Sequence, residues 1–138
     1  MNNQKNIVLC GVGGQGTVLA SKLLAAAAMS KDIPVMSAET IGMAQRGGSV
    51  FSHLRMGDNL YSPMIETGTA DLIIGFEPGE TVRMLPYLKG HGHIVVSTRA
   101  VKPVTATLSG SDYDAPQMLE YLKAAVPNLT LVNADQAC

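Results

Sequence analysis

Cysteine is nearly absent from this sequence of 138 residues: Cys10 and Cys138 are the only two. That excludes a disulfide scaffold and makes a cytoplasmic home the default expectation. It also leaves too few thiolates to ligate an iron–sulfur cluster. Tryptophan is missing, and there are only four tyrosines and two phenylalanines, which argues against a base-stacking surface for nucleic acid. The net charge is −1 and like charges do not cluster, so no long-range attraction to nucleic acid or an anionic membrane is expected. The longest apolar segment, after Thr17, is too short and too alanine-rich to span a membrane. Met1 to Asn6 is polar and lacks a signal-peptide pattern. No linker, repeat or low-complexity stretch divides the chain.

What is present suits a globular protein. Hydrophobic residues make up 46%, enough for one domain, residues 1–138, with a real core. The eight methionines read as core filling, with an adaptable contact surface as the alternative.

The stretch from Ile7 to Met29 organises the rest. Ile7-Val8-Leu9-Cys10 is a short apolar run that stops at Gly11-Val12-Gly13-Gly14-Gln15-Gly16. From Thr17 onward an Ala- and Leu-rich segment follows without proline or glycine. The order reads strand, tight turn, helix, with G-x-G-x-x-G at Gly11, Gly13 and Gly16. Amide groups around Gly14 to Thr17 are expected at a helix N-terminus, ready for a phosphate or carboxylate. The helix, Gly16 to Ser30, carries apolar residues at Leu19, Leu23 and Ala27 with Ala20 and Leu24 beside them. It is expected to be buried on most sides over a parallel sheet.

Ile33-Pro34-Val35-Met36-Ser37 reads as a second strand, and Glu39 follows it. A carboxylate about twenty residues after a glycine loop suits a dinucleotide ribose; an exposed loop carboxylate is the simpler account. Thr40 to Ser49 is glycine-rich and reads as a ligand-facing loop. In it Arg46 offers a planar fork to a phosphate or carboxylate, and a surface arginine in a turn is the structural alternative. Val50 to Met56 alternates as a half-buried strand. Gly57-Asp58-Asn59 turns the chain and Leu60 to Pro63 is expected to return as a hairpin partner. His53 beside Arg55 is either a catalytic pair or a hydrated or contact pair. Leu72 to Phe76 is a continuous apolar run, the mark of a central parallel strand. Gly79 to Lys89 has a helical pattern broken at Pro86, Gly90 to His93 reads as a turn, and Ile94 to Ser97 as a strand. Asp114-Ala115-Pro116 starts a helix, and Leu129 to Val132 is a last strand. The fold class expected is α/β: a three-layer, doubly wound, mostly parallel Rossmann-like sheet with an inserted β-hairpin.

Gly11 to Gly16, followed by Gly42-Met43-Ala44-Gln45-Arg46-Gly47-Gly48-Ser49-Val50 and Ser52-His53-Leu54-Arg55, resembles the gamma-type subunits of 2-oxoacid:ferredoxin oxidoreductases. Within that group it is most similar to the beta subunits of the indolepyruvate enzymes. Tyr61-Ser62-Pro63, Ala70-Asp71, Phe76-Glu77-Pro78 and Leu85-Pro86-Tyr87-Leu88-Lys89 extend the resemblance over nearly the whole chain. Gln-Arg-Gly-Gly-Ser at this distance from the glycine loop is its most discriminating part. Family members usually continue beyond the point where this chain stops, so a truncated or short form is expected.

The resemblance implies a shared enzyme that makes acyl-CoA and CO2 from a 2-oxoacid. Thiamine diphosphate, Mg2+ and iron–sulfur clusters are expected in a larger partner subunit, with ferredoxin as acceptor and coenzyme A as co-substrate. This chain is expected to bind none of these cofactors alone, to hold no metal and no catalytic residue, and to be inactive by itself. Gly57-Asp58-Asn59 resembles only the start of a thiamine diphosphate motif, and a hairpin turn explains it. Candidate phosphate or coenzyme A contacts are Gly13, Gly14, Gln15, Gly16 and Arg46; the candidate interface is Gln45, Arg46, Gly47, Gly48 and Ser49. Two other readings stand beside this one. A stand-alone nucleotide-binding module would use the glycine loop and Glu39. A purely structural subunit would use its glycines for close packing.

Overall fold

The computed structural model describes residues 4–13, 15–39, 49–99 and 115–133. Within them six strands form one sheet: β1 (Lys5–Val12), β2 (Val35–Glu39), β3 (Ser49–Met56), β4 (Ala70–Gly75), β5 (Leu88–Ser97) and β6 (Asn128–Val132). Their spatial order is β2-β3-β1-β4-β5-β6. β1, β4, β5 and β6 form a parallel set, while β3 runs antiparallel to both β1 and β2. Helices α1 (Thr17–Ser30), α2 (Pro78–Arg83) and α3 (Ala115–Ala125) cover the sheet, with a 3-10 turn at Leu85–Tyr87.

The period-2 alternation of β1 separates two layers. Val8 and Cys10 enter a core with Ile73, Ile94, Val96, Leu122 and Val126, against which Val82 of α2 and Leu119 of α3 pack. Gly11 faces α1 instead, where an added Cβ would meet Thr17 Oγ1 at 2.8 Å. From β1 the chain winds through α1 to one side and, after β3, through β4 and α2 to the other. The switch point therefore lies between β1 and β4. The doubly wound, mostly parallel α/β architecture is the one expected.

Three local expectations are corrected. The strand at Val50 to Met56 is present, but its antiparallel neighbours are β1 and β2. Both edges of β3 are thereby occupied, so Leu60 to Pro63 has no edge to join and forms no strand. The inserted antiparallel pair is β2 with β3. The segment after β3 is held by side chains instead: the Ile65 amide donates to His53 Nδ1 at 2.8 Å, and Arg55 Nη1 donates to the Ser62 carbonyl at 2.9 Å.

Helix α1 is not buried on most sides. Its inner face is Thr17, Ser21 and Ala28, while Leu19 and Leu23 are each 62% exposed. Small residues let the helix lie close on the sheet. Because apolar residues occupy every face of α1, periodicity does not select the inner one.

Gly90 to His93 belongs to β5 rather than to a free turn. Ala70 faces Leu88 and Leu72 faces His93, so Lys89 to Gly92 bulge opposite the single residue Asp71. His91, with φ 67°, takes the left-handed conformation within that bulge. Lys89 pairs with Asp71 there. Burial opposes ionisation of the Asp71 carboxyl. The Lys89 hydrogen bond, the Asn6 amide and the Lys89 and Lys5 charges outweigh it and hold the carboxyl below its ordinary range.

Candidate functional site

The glycine loop leaves β1 at the C-terminal edge of the parallel strands, the edge where α/β sheets bind ligands. Gly16, the residue before α1, has φ 89°, a left-handed conformation that a side chain would strain. It brings no side-chain cap, and the first turn of α1 carries no acidic residue. The helix N-terminus thus keeps its partial positive charge uncompensated by side chains.

Gln15 bolts this loop across the switch point. Its Oε1 accepts from the Val12 amide at 2.7 Å, and its Nε2 donates to the Phe76 carbonyl just beyond β4 at 3.1 Å. Its own amide donates to the Val12 carbonyl at 3.1 Å, while the Phe76 amide donates to the Cys10 carbonyl at 2.8 Å. Gly11 makes room for the bolt: a Cβ there would lie 2.8 Å from Gln15 Oε1 and 3.0 Å from Phe76 Cβ. Both ends of the Gln15 side chain are therefore engaged within the chain, and Gly11 serves inward packing.

Gly13 is half-buried beside the bolt. Gly14, Gln45, Arg46, Gly47 and Gly48 lie outside the described residues. Ser49 opens β3 opposite Val12, next to the glycine loop. Its Oγ accepts from Arg83 Nη1 at 3.1 Å, which brings the last residue of α2 to the rim. In sequence, Arg83 is marked for the rim only by its place at the end of the helix that Glu77-Pro78 starts.

Glu77 is fully buried and works locally. It caps α2, its Oε1 accepting from the Glu80 amide at 2.9 Å, with Pro78 in the first turn. Glu39 ends β2, three strands from β4, or about 14 Å at the usual strand spacing. The two carboxylates do not form a pair.

Thr81 packs directly on Gly75: a Cβ at Gly75 would fall 1.7 Å from Thr81 Oγ1. That hydroxyl donates to the Glu77 carbonyl at 2.8 Å and lies 3.9 Å from Cys10 Sγ. Burial, followed in smaller measure by the Glu80 and Glu77 charges, pushes the Cys10 thiol up to about 12 despite the Thr81 contact. A thiol so placed is the opposite of a thiolate ligand or nucleophile.

His53 and Arg55 share a face of β3 without forming a catalytic pair. His53 is buried between the rings of Phe51 and Tyr87. Burial lowers its pKa, which keeps the imidazole neutral. With Nδ1 accepting from Ile65, the proton belongs on Nε2, which has no hydrogen-bond partner. Among the described residues no histidine is bonded to a carboxylate or cysteine. None of those residues gather three or more His, Cys, Asp or Glu groups that could hold a metal ion. No described helix is long and apolar enough to cross a membrane. The described rim thus offers amide donors, glycine clearances and Arg83, and no nucleophile–base pair.

The family model for pyruvate ferredoxin/flavodoxin oxidoreductase matches residues 6–136. An indolepyruvate oxidoreductase subunit IorB of Archaeoglobus fulgidus is 39% identical over 132 residues, 95% of this chain and 65% of that protein. Its counterpart in Methanothermobacter thermautotrophicus is 42% identical over 108 residues, 78% of this chain and 55% of that protein. The chain thus spans somewhat over half the length of these curated relatives. Two solved structures share the fold. Pyruvate oxidoreductase subunit PORC of Thermotoga maritima has a TM-score of 0.61 at 20% identity, over 95% of this chain and 62% of that one. The 2-oxoglutarate:ferredoxin oxidoreductase of Magnetococcus marinus, solved with 2-oxoglutarate, coenzyme A and succinyl-CoA, has a TM-score of 0.65 at 16% identity, over 96% of this chain and 20% of that one.

Proposed function

The chain belongs to the pyruvate ferredoxin/flavodoxin oxidoreductase family, and from that membership we propose that it is the gamma-type subunit of a 2-oxoacid:ferredoxin oxidoreductase. The substrate proposed is indolepyruvate or another aryl pyruvate, the products acyl-CoA and CO2, and the compartment the cytoplasm. The observation that carries this reading is 39% identity to an indolepyruvate oxidoreductase subunit across 95% of the chain.

In the complex a larger subunit holds thiamine diphosphate, Mg2+ and the iron–sulfur clusters that pass electrons to ferredoxin. Cys10, the described thiol, is buried and held protonated, which suits packing rather than ligation. This chain completes the assembly and contributes the glycine-loop rim. There the backbone around Gly13, Gly14 and Gly16, together with Arg46, meets a phosphate of coenzyme A, while Gln15 keeps the loop in shape. Gln45 to Ser49 faces the larger subunit. The uncapped, acid-free start of α1 supports an anion at this rim.

Co-expression with the larger subunit tests the reading. The complex is expected to reduce ferredoxin with indolepyruvate only when coenzyme A is present, and this chain alone is expected to be inactive. A complex that turns over no 2-oxoacid, or an isolated chain that oxidises one with a soluble nucleotide, refutes it. Arg46→Ala with unchanged turnover and unchanged coenzyme A dependence removes Arg46 from the site.

A further inference from the structure

A cavity of about 510 Å3 lies at the opposite end of the sheet from the glycine loop, where β1 begins and β3 ends. Arg55, Asn59, Ser62 and Glu66 line it, with Tyr61 and Met64. We propose that this cavity is a socket for a carboxylate side chain on a protein partner, namely the larger subunit. The inference rests on the functional reading above and adds a contact surface at the pole away from the glycine loop.

The Arg55 guanidinium carries the argument. Nε donates to Asn6 Oδ1 at 3.0 Å, Nη1 to the Ser62 carbonyl at 2.9 Å and Nη2 to Gln4 Oε1 at 3.1 Å. All three acceptors are neutral oxygens, so among the described residues the positive charge has no counter-ion. Glu66 lines the same cavity yet makes no ion pair with Arg55. Each Nη still keeps a second hydrogen, and a carboxylate is the group that takes such a fork from the front. The three existing bonds already fix the fork, so little side-chain entropy remains to be lost when a carboxylate arrives.

The lining points to a protein rather than a small acid. Tyr61 is 89% exposed and Met64 is 52% exposed. Both sit on a segment pinned at Ser62 by Arg55 and at Ile65 by His53, so they are presented outward from an anchored backbone. Tyrosine, methionine and arginine are the side chains enriched where protein partners meet, and Tyr and Arg most often carry the binding energy. An acidic side chain with apolar neighbours on the larger subunit matches this layout in charge and in surface.

The test measures the dissociation constant of the larger subunit for the wild-type chain and for variants, each first shown folded by circular dichroism. Tyr61→Ala removes an exposed ring and is expected to weaken assembly about 10-fold. Asn59→Asp puts a negative charge on the lining at a residue with φ 61°, a conformation aspartate also tolerates, and is expected to weaken it about 10-fold. Arg55→Lys keeps the charge and loses the fork, so it is expected to weaken assembly as well. Wild-type affinity in both Tyr61→Ala and Asn59→Asp overturns the socket while leaving the functional reading intact. Failure of the wild-type chain to bind the larger subunit overturns the functional reading, and the socket with it.

Discussion

Replacing Gln15 by glutamate changes one atom of the side chain and tests the bolt across the switch point. The new carboxylate still accepts from the Val12 amide, but where Nε2 donated to the Phe76 carbonyl at 3.1 Å an oxygen now faces an oxygen. Loss of the hydrogen bond costs about 1 kcal/mol, and setting a half-buried carboxylate against a carbonyl adds a similar amount, giving about 2 kcal/mol. For a domain of this size that lowers Tm by roughly 8 °C. The sign of the pH dependence is set. Burial and the facing carbonyl raise the introduced carboxyl's folded pKa above its unfolded value of about 4.3. The protonated form donates again, so the penalty is absent below the unfolded pKa and grows as pH rises through the folded pKa. Thermal unfolding of both proteins across acid to neutral pH reads this directly. In the reconstituted enzyme the variant is expected to raise the KM for coenzyme A more than it lowers kcat. A Tm within about 2 °C of wild type at neutral pH, or a penalty independent of pH, refutes the bolt.

Gly75→Ala drives a Cβ into Thr81 and should cost about 3 kcal/mol, seen as a lower denaturant midpoint; in a Thr81→Ala background the same change should cost clearly less. His53 is held neutral by burial, so the unfolded chain binds more protons below its ordinary value of 6.5 and stability falls as pH falls through that window. Between pH ~7.5 and ~5.5 the loss is at most roughly 1.5 kcal/mol, and the protection factor of the Ile65 amide, corrected for the intrinsic exchange rate at each pH, should fall in parallel, which hydrogen-exchange mass spectrometry can follow. Cys10, with its thiol pushed up to about 12, should resist iodoacetamide at mildly alkaline pH until the protein is unfolded. Rapid alkylation of the native chain would show the site to be open.

Much of the fold was legible because backbone chemistry is local. The apolar run before Gly11 and the glycines after it leave few options but a strand, a turn and a helix. The run at Leu72 to Phe76 has no polar side to give to water and must be a central strand. The rim was legible as a place: parallel strands put the glycine loop, Glu39, Glu77 and Ser49 at one end of the sheet. Their roles were less legible. Glu77 looks like a rim carboxylate in sequence and is a buried helix cap. His53 and Arg55 look like a pair, yet one anchors Ile65 from within the core and the other braces Ser62 from the edge.

Local sequence by itself determined where strands begin, where the chain turns and which rim gathers the glycines, since φ/ψ preference and apolar alternation act over a few neighbouring residues. Only the tertiary structure decided that β3 lies between β1 and β2, that α1 turns Leu19 and Leu23 outward, and that Gln15 reaches Phe76. Those outcomes depend on which edge is already occupied and which surfaces fit within a few tenths of an ångström. Both belong to groups far apart along the chain, and no pattern of neighbours encodes them.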